Sequence, residues 1–355
     1  MKKKHANAPT IRRVAEVAGV SLGTVSRVLN GKGNVSPELQ AKVNRVINEL
    51  GYRPNVAAQT MRSAVSRTVA CVIRDSSVAG FAQFVRAADE VLSAAGYMLM
   101  LANSAGRIDR EMELISRLTA RRVDALLIAQ LSESDEAFGD RLQGTGIPVV
   151  LIDREKPGWA DAVMLDHRSG TRQATERLLQ LGHRRIALLT GKPTLYPARE
   201  RIAGYELAFA AAGLTVDPQM IRTGGFEAKF GFEQASMLLY PAHRPTAIIS
   251  GGLDMLPGII RAIRARGLSI PGDVSLVGSM NSDLADLHDP SISVEDWDYS
   301  EVGRIGANLA LHRISTGQSP EPRRVLVPTR FLARESIARL GQDRRRRTSG
   351  RRAPR

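Results

Sequence analysis

Histidine, cysteine and closely spaced carboxylates do most covalent and metal chemistry, and in this chain they are few and scattered. The six histidines stand at positions 5, 167, 183, 243, 288 and 312, without the spacing of a metal-ligand pair. No nucleophile elbow, phosphate loop or GxGxxG follows an apolar strand. His183, in LGHRRI, reads as a structural residue at a helix-to-strand junction, and the single cysteine, Cys71, reads as a buried thiol within TVACVI. These residues predict no enzyme, no metal and no cofactor. The chemistry they do support is recognition, and it concentrates in GVSLGTVSRVLNG. Arg27 could bond a guanine edge with two N–H groups, Leu22 could touch a thymine methyl, and Ser21, Thr24 and Ser26 could bond phosphates or base edges. Gly23 lies on the same outward face, and Asn30 ends the segment.

Such a face needs elements to hold it. Thr10 is placed to cap a helix whose apolar side is Ile11, Val14, Ala15 and Ala18. Gly19 then supplies a turn and Ser21 a second cap, so the recognition residues ride on the second helix of a helix-turn-helix. Val25, Val28 and Leu29 are predicted to face inward. A third helix follows Ser36 and Pro37, with Leu39, Val43, Val46, Ile47 and Leu50 as its stripe.

The chain has 355 residues, 43% of them apolar, enough for two or three domains. Its charge of +14 is uneven: residues 1–67 carry +9 and residues 344–355 carry +7, which leaves −2 between them. A basic head beside a near-neutral body points to a polyanion partner for the head and another task for the body. The organisation expected is a basic arm (1–9), a helix-turn-helix headpiece (10–54), a hinge helix and linker (55–67), a core (68–340) and a basic disordered tail (341–355). The start MKKKHANAPT lacks the apolar stretch of an export signal, and no apolar run of about 18 residues occurs, so a cytoplasmic protein with no membrane partner is expected.

The segment TIRRVAEVAGVSLGTVSRVLNGKGNVSPELQAKVNRVINELGYRPN resembles the headpiece of the lactose/galactose repressor family of bacterial transcription regulators, with its signature VAxxAGVSxxTVSRVLN. The likeness continues through LGHRRIALLTG, RERIAGYELAFAAAGL, RPTAII and IPGDVSLVG to RFLARES, roughly residues 10–337. Arg13 departs from the acidic residue common in the family. The resemblance implies a homodimer on near-palindromic double-stranded operator DNA, controlled by a small-molecule effector, a sugar or sugar acid. It also implies that NVAAQTMRS is a hinge helix, in which Asn55, Ala58 and Gln59 accompany Met61, the apolar wedge that parts a base step in the minor groove.

From residue 68, apolar strands alternate with amphipathic helices in two series, and AVMLD, SISVE and RRVLVPTRFL serve as crossings between them. The expected fold is an α headpiece followed by two doubly wound parallel-sheet subdomains, like a periplasmic binding protein. By resemblance the effector lies between the subdomains, against Asp153, Arg154, Asp166, Arg201, Phe226, Asp254, Met280 and Trp297. Gly252 and Leu253 replace a common Asn-Asp pair, Met280 a common aspartate, and Trp297 a common glutamine or arginine. The lost carboxylates favour an acidic ligand over a neutral hexose. Two other readings remain at this stage: a solute-binding receptor, which the headpiece and the missing export signal disfavour, and a nonspecific basic DNA binder. No heptad segment follows residue 337, which disfavours a tetramerising coiled coil.

Overall fold

The structure, a computed structural model, describes residues 9–30, 35–53, 65–240, 244–317 and 321–340. The chain forms two compact units, Met1–Ser66 and Arg67–Arg355. The hinge positions Asn55, Ala58, Gln59 and Met61 lie outside the described residues, as do residues 1–8 of the arm and the tail after residue 340.

The first unit has helices α1 (Ile11–Ala18), α2 (Leu22–Asn30) and α3 (Pro37–Leu50). Each has its predicted cap: Thr10 accepts from the Arg13 N–H at 3.3 Å, Ser21 from Thr24 at 3.2 Å, and Ser36 from Leu39 at 3.4 Å. Gly19 ends α1 at φ 63°, a left-handed value that glycine adopts without strain. Val14, Ala15, Ala18, Val25, Val43 and Val46 fill the core, flanked by Val28 and Leu29.

The second unit holds two six-stranded sheets. The first contains β1 (Thr68–Ile73), β2 (Met98–Asn103), β3 (Ala125–Ile128), β4 (Val149–Ile152), β5 (Asp161–Leu165) and β11 (Arg324–Val327). All run parallel in the order β11-β5-β4-β3-β1-β2. Its helices are α4 (Ala79–Ala94), α5 (Ile108–Ala120), α6 (Glu136–Gly144) and, from late in the chain, α12 (Tyr299–Thr316). Helices on both faces explain why β1, β3 and β4 are buried at every residue and read as unbroken apolar runs. Cys71 sits fully buried in the middle of β1, where burial pushes its thiol up to about 12.

The second sheet contains β6 (Ile186–Gly191), β7 (Ile221–Gly224), β8 (Ala247–Ser250), β9 (Ser275–Ser279), β10 (Ser293–Asp296) and β12 (Arg330–Leu332). The order is β12-β10-β9-β8-β6-β7, parallel except for the edge strand β12, which runs antiparallel to β10. Its helices are α7 (His167–Gln180), α8 (Tyr196–Ala211), α9 (Ala228–Leu238), α10 (Met255–Ala265) and the short α11 (Asp283–Leu287).

Three crossings join the subdomains: β5 to α7, β10 to α12, and β11 to β12. RRVLVPTRFL is thus two strands, not one. Pro328 lacks an N–H and interrupts the ladder, so Arg324–Val327 stays in the first sheet and Arg330–Leu332 enters the second. At the start of β5, buried Asp161 accepts from Arg313 Nε at 2.7 Å and from the Arg323 N–H at 2.6 Å, tying β5, α12 and the approach to β11 together.

His183 is structural, as expected: its ring meets Thr246 Oγ1 at 2.9 Å and the Ala338 carbonyl at 3.0 Å, and burial holds it below the ordinary histidine range.

Candidate functional site

On α2, buried Val25 anchors the helix while Ser21, Leu22, Gly23 and Arg27 face outward and Thr24 and Ser26 are half-buried. The Arg27 Nε donates to the Gly23 carbonyl at 3.3 Å, which lays its side chain back along the helix surface. Ser21 and Thr24 hydroxyls lie 2.9 Å apart. The outward set is therefore ordered locally and has its charge in solvent. Asn30 belongs to α2, and its side chain lies outside the description. Arg13 pairs with Glu16 at 2.8 Å, an exposed i,i+3 contact of small energetic weight.

In the body, the strand ends of the two sheets enclose a cavity of about 120 Å³. Asp153 follows β4 with φ 53° and points both carboxylate oxygens at His167 Nε2, each 3.0 Å away. Burial raises the Asp153 carboxyl, but His167, Arg154 and Arg201 outweigh it and hold the group below the usual carboxylate range. His167 is held below its ordinary value by burial and by Arg201, against the pull of Asp153. A neutral imidazole that donates from Nε2 leaves Nδ1 as an acceptor, and that atom has no partner among the described residues.

Arg201, on α8, is 3% exposed. Its Nη1 donates to the Pro197 carbonyl at 3.4 Å, its guanidinium lies 5.8 Å from the Trp297 ring centre, and its Nε has no hydrogen bond among the described residues. The nearest acid is Glu295, with Oε2 3.7 Å from Nε. Glu200, the neighbour in sequence, instead bonds Arg168 at 2.9 Å. Trp297 meets the His167 ring edge-on at 5.4 Å, and its Nε1 is also unpartnered among the described residues. Phe226 forms a wall over Gly191, where an added methyl would fall 2.2 Å from the ring.

Two other cations are already committed. Arg154 donates to the carbonyls of Gln130 at 2.6 Å and Asp153 at 2.7 Å, so it braces the loop that carries Asp153. Arg74, at the end of β1, reaches across to Glu227 at 2.9 Å and Asp254 at 3.0 Å in the other subdomain. Burial raises the Asp254 carboxyl despite Arg74.

Two expected cleft residues are placed elsewhere. Asp166 caps α7, accepting from the Ser169 N–H at 3.0 Å, because a carboxylate at that position satisfies a free helix N–H. Met280, at φ 61°, turns into the core against Gly80, among Trp297 and Tyr299. Neither lines the cavity, whereas Asp153, Arg154, Arg201, Phe226, Asp254 and Trp297 do, together with Arg74, His167 and Tyr299, which the sequence reading did not single out. Only Arg74 left a local signal there, a charge directly after the apolar run TVACVI.

A larger groove of about 590 Å³ in the first subdomain is rich in acids, but several are already engaged. Asp135 caps α6, Glu133 accepts from the N–H groups of Glu155 and Tyr196, and Glu155 pairs with Arg199.

Residues 10–55 match the lacI family of bacterial regulatory proteins, and residues 175–337 match the periplasmic binding protein-like domain. Over 339 residues the chain is 34% identical to the HTH-type transcriptional regulator CelR of Thermobifida fusca, spanning 92% of this chain and 98% of that one. The chain belongs to the lacI family. It is a DNA-binding transcriptional regulator with the lac repressor fold, and members of the family are regulators, not enzymes. A CelR–cellobiose complex superposes with a TM-score of 0.70 at 32% identity, covering 92% of this chain and 99% of that one. The lac repressor dimer bound to operator and the anti-inducer ONPF gives 0.81 at 27%, covering 93% and 99%. The exposed face of α2 lies within the residues that match the lacI family. Among the described residues, no group of three or more potential ligands gathers as a metal site, and no helix is long and apolar enough to cross a membrane.

Proposed function

We propose that this protein is a cytoplasmic repressor that binds a near-palindromic operator as a homodimer and is controlled by a sugar or sugar acid held between its subdomains. The carrying observation is the cavity itself: Arg201 Nε, Trp297 Nε1 and His167 Nδ1 are buried around it and lack partners among the described residues. Buried polar groups are ordinarily paired, so three exceptions on residues that line one cavity favour a polar ligand there. In this reading Arg201 anchors the ligand, Asp153 and His167 bond hydroxyls, and Phe226 and Trp297 cover an apolar face. Arg154 fixes the Asp153 loop, and the contact of Asp254 with Arg74 opens or closes with the cleft.

Ser21, Leu22, Gly23, Thr24, Ser26, Arg27 and Asn30 read the major groove, while Asn55, Ala58, Gln59 and Met61 serve the minor groove. Exposed apolar side chains favour a second copy as partner: Met98 and Leu101 on the edge strand β2, and Phe232, Met237 and Tyr240 on and just after α9. The sign of control follows from which subdomain angle binds the effector more tightly.

Selection of the purified chain against a random duplex library tests the reading. A twofold consensus that fades with Arg27→Ala, and loses affinity across all sequences with Met61→Gly, is expected. Binding that follows charge and salt alone, with no consensus, would refute it.

A further inference from the structure

Glu295 sits where the crossings meet. It lies on β10, fully buried, two residues before Trp297 and the start of the second crossing. From α7, Gly170 and Thr171 face it: a methyl at Gly170 would stand 3.8 Å from Glu295 Oε2, and Thr171 acts on the carboxyl without closing a hydrogen bond of good geometry. The same methyl would strike Thr329, in the third crossing. Ser279 and Phe331 are its partners on the neighbouring strands β9 and β12. From α8 comes Arg201, the charged group that acts on it. Neither carboxylate oxygen has a hydrogen bond among the described residues. Arg201 therefore stands between an inner acid and the cleft, bonded to neither side through Nε.

We infer that Glu295 is a positioning residue for Arg201 and sets the charge class of the effector: the cleft takes a small monocarboxylate together with one proton. This rests on the effector reading of the cleft. With Glu295 ionised, the Arg201 charge is already matched, and a second carboxylate beside it meets repulsion. Once Glu295 is protonated, the guanidinium loses the charge of its nearest acid and pairs with the ligand; the proton comes from solvent and stays on a Glu295 oxygen. Arg74 and Arg154 are committed to other partners, so one cationic group is open to the ligand. Asp153, held ionised opposite, further disfavours a dianion such as phosphate. Burial pushes the Glu295 carboxyl up to about 7, against Arg201, so the two forms exchange around neutral pH.

The test needs two measurements on the full chain. In a Trp159→Phe background, Trp297 emission followed from pH 5 to 9 reports the Arg201 environment. A transition near neutrality that survives His167→Gln and disappears in Glu295→Gln is expected; a transition unmoved by Glu295→Gln overturns the inference. Calorimetry then compares gluconate with sorbitol, which has the same carbon count and no carboxylate. Gluconate should bind about ten-fold more tightly at pH 6 than at pH 8, and this dependence should vanish in Glu295→Gln. Gluconate affinity independent of pH, or tighter binding of sorbitol at pH 6, overturns the inference. Binding by neutral sugars alone, with cellobiose and ribose in the panel, overturns the carboxylate class and leaves the effector reading standing. Silence to the whole panel overturns both.

Discussion

In the headpiece, the side chains that would meet a ligand are exposed or half-buried, and buried Val25 holds them in place. In the cleft the order is inverted: His167 and Arg201 are 1% and 3% exposed, and the charge state of His167 is set by its burial and by Arg201 and Asp153 beside it. The first arrangement yields contacts that can be removed one at a time. The second yields a network in which each deletion leaves another group stranded, so its members do not contribute independently.

The largest effect expected from this contrast is on the body. Asp161→Ala takes the carboxylate away from the buried Arg313 guanidinium and should cost about 3–5 kcal/mol of body stability, read from thermal or denaturant unfolding. A change below about 1 kcal/mol would mean that buried charge is as separable as exposed charge, and the contrast would fail.

Arg27→Ala should weaken operator binding by about 1–3 kcal/mol while leaving the melting of the body unchanged. Competition binding against random-sequence duplex checks it, and an equal loss on both DNAs would reduce Arg27 to a phosphate contact. Next, a double-mutant cycle of Arg201→Gln with Glu295→Gln should show a coupling of about 0.5–3 kcal/mol in stability. A cycle of Leu22→Ala with Arg27→Ala in operator affinity should close to within roughly 0.5 kcal/mol. Among the single substitutions the smallest effect belongs to the cap: Thr10→Ala should cost the headpiece about 1 kcal/mol, measured by its own unfolding transition.

The contrast also explains what was legible in the sequence. The headpiece is encoded in local spacing: Thr10, Ser21 and Ser36 stand directly before their helices, and Ile11, Val14, Ala15 and Ala18 recur at helical intervals on α1 as Val25, Val28 and Leu29 do on α2, so caps, core and outward face could all be read from the sequence. The strands of both sheets were equally plain, because burial on two faces leaves continuous apolar runs. The cleft is assembled from segments far apart in the chain, and no local period encodes it. Asp166 and Met280 stand at the ends of strands, where the next backbone angle decides which way a side chain turns. The positive φ of Met280 sent it into the core, and the free N–H of Ser169 claimed Asp166. Arg74 and His167 were missed for the same reason: their partners lie across the cleft or fourteen residues back, in Glu227, Asp254 and Asp153. Pro328 was visible, but its consequence, two strands assigned to two sheets, depends on the sheets having been built.

Cys71 carries a consequence of a different kind. The chain has one thiol, placed at the centre of β1 between β2 and β3, and burial suppresses its thiolate there. A thiolate is the species that reacts, so an alkylating reagent finds it only in molecules whose first sheet has come apart. With reagent in enough excess to outpace reclosing, labelling would then proceed at the rate of that opening, whatever the headpiece is doing. The chain therefore contains its own clock for the rupture of its body, with a single hand and no added probe.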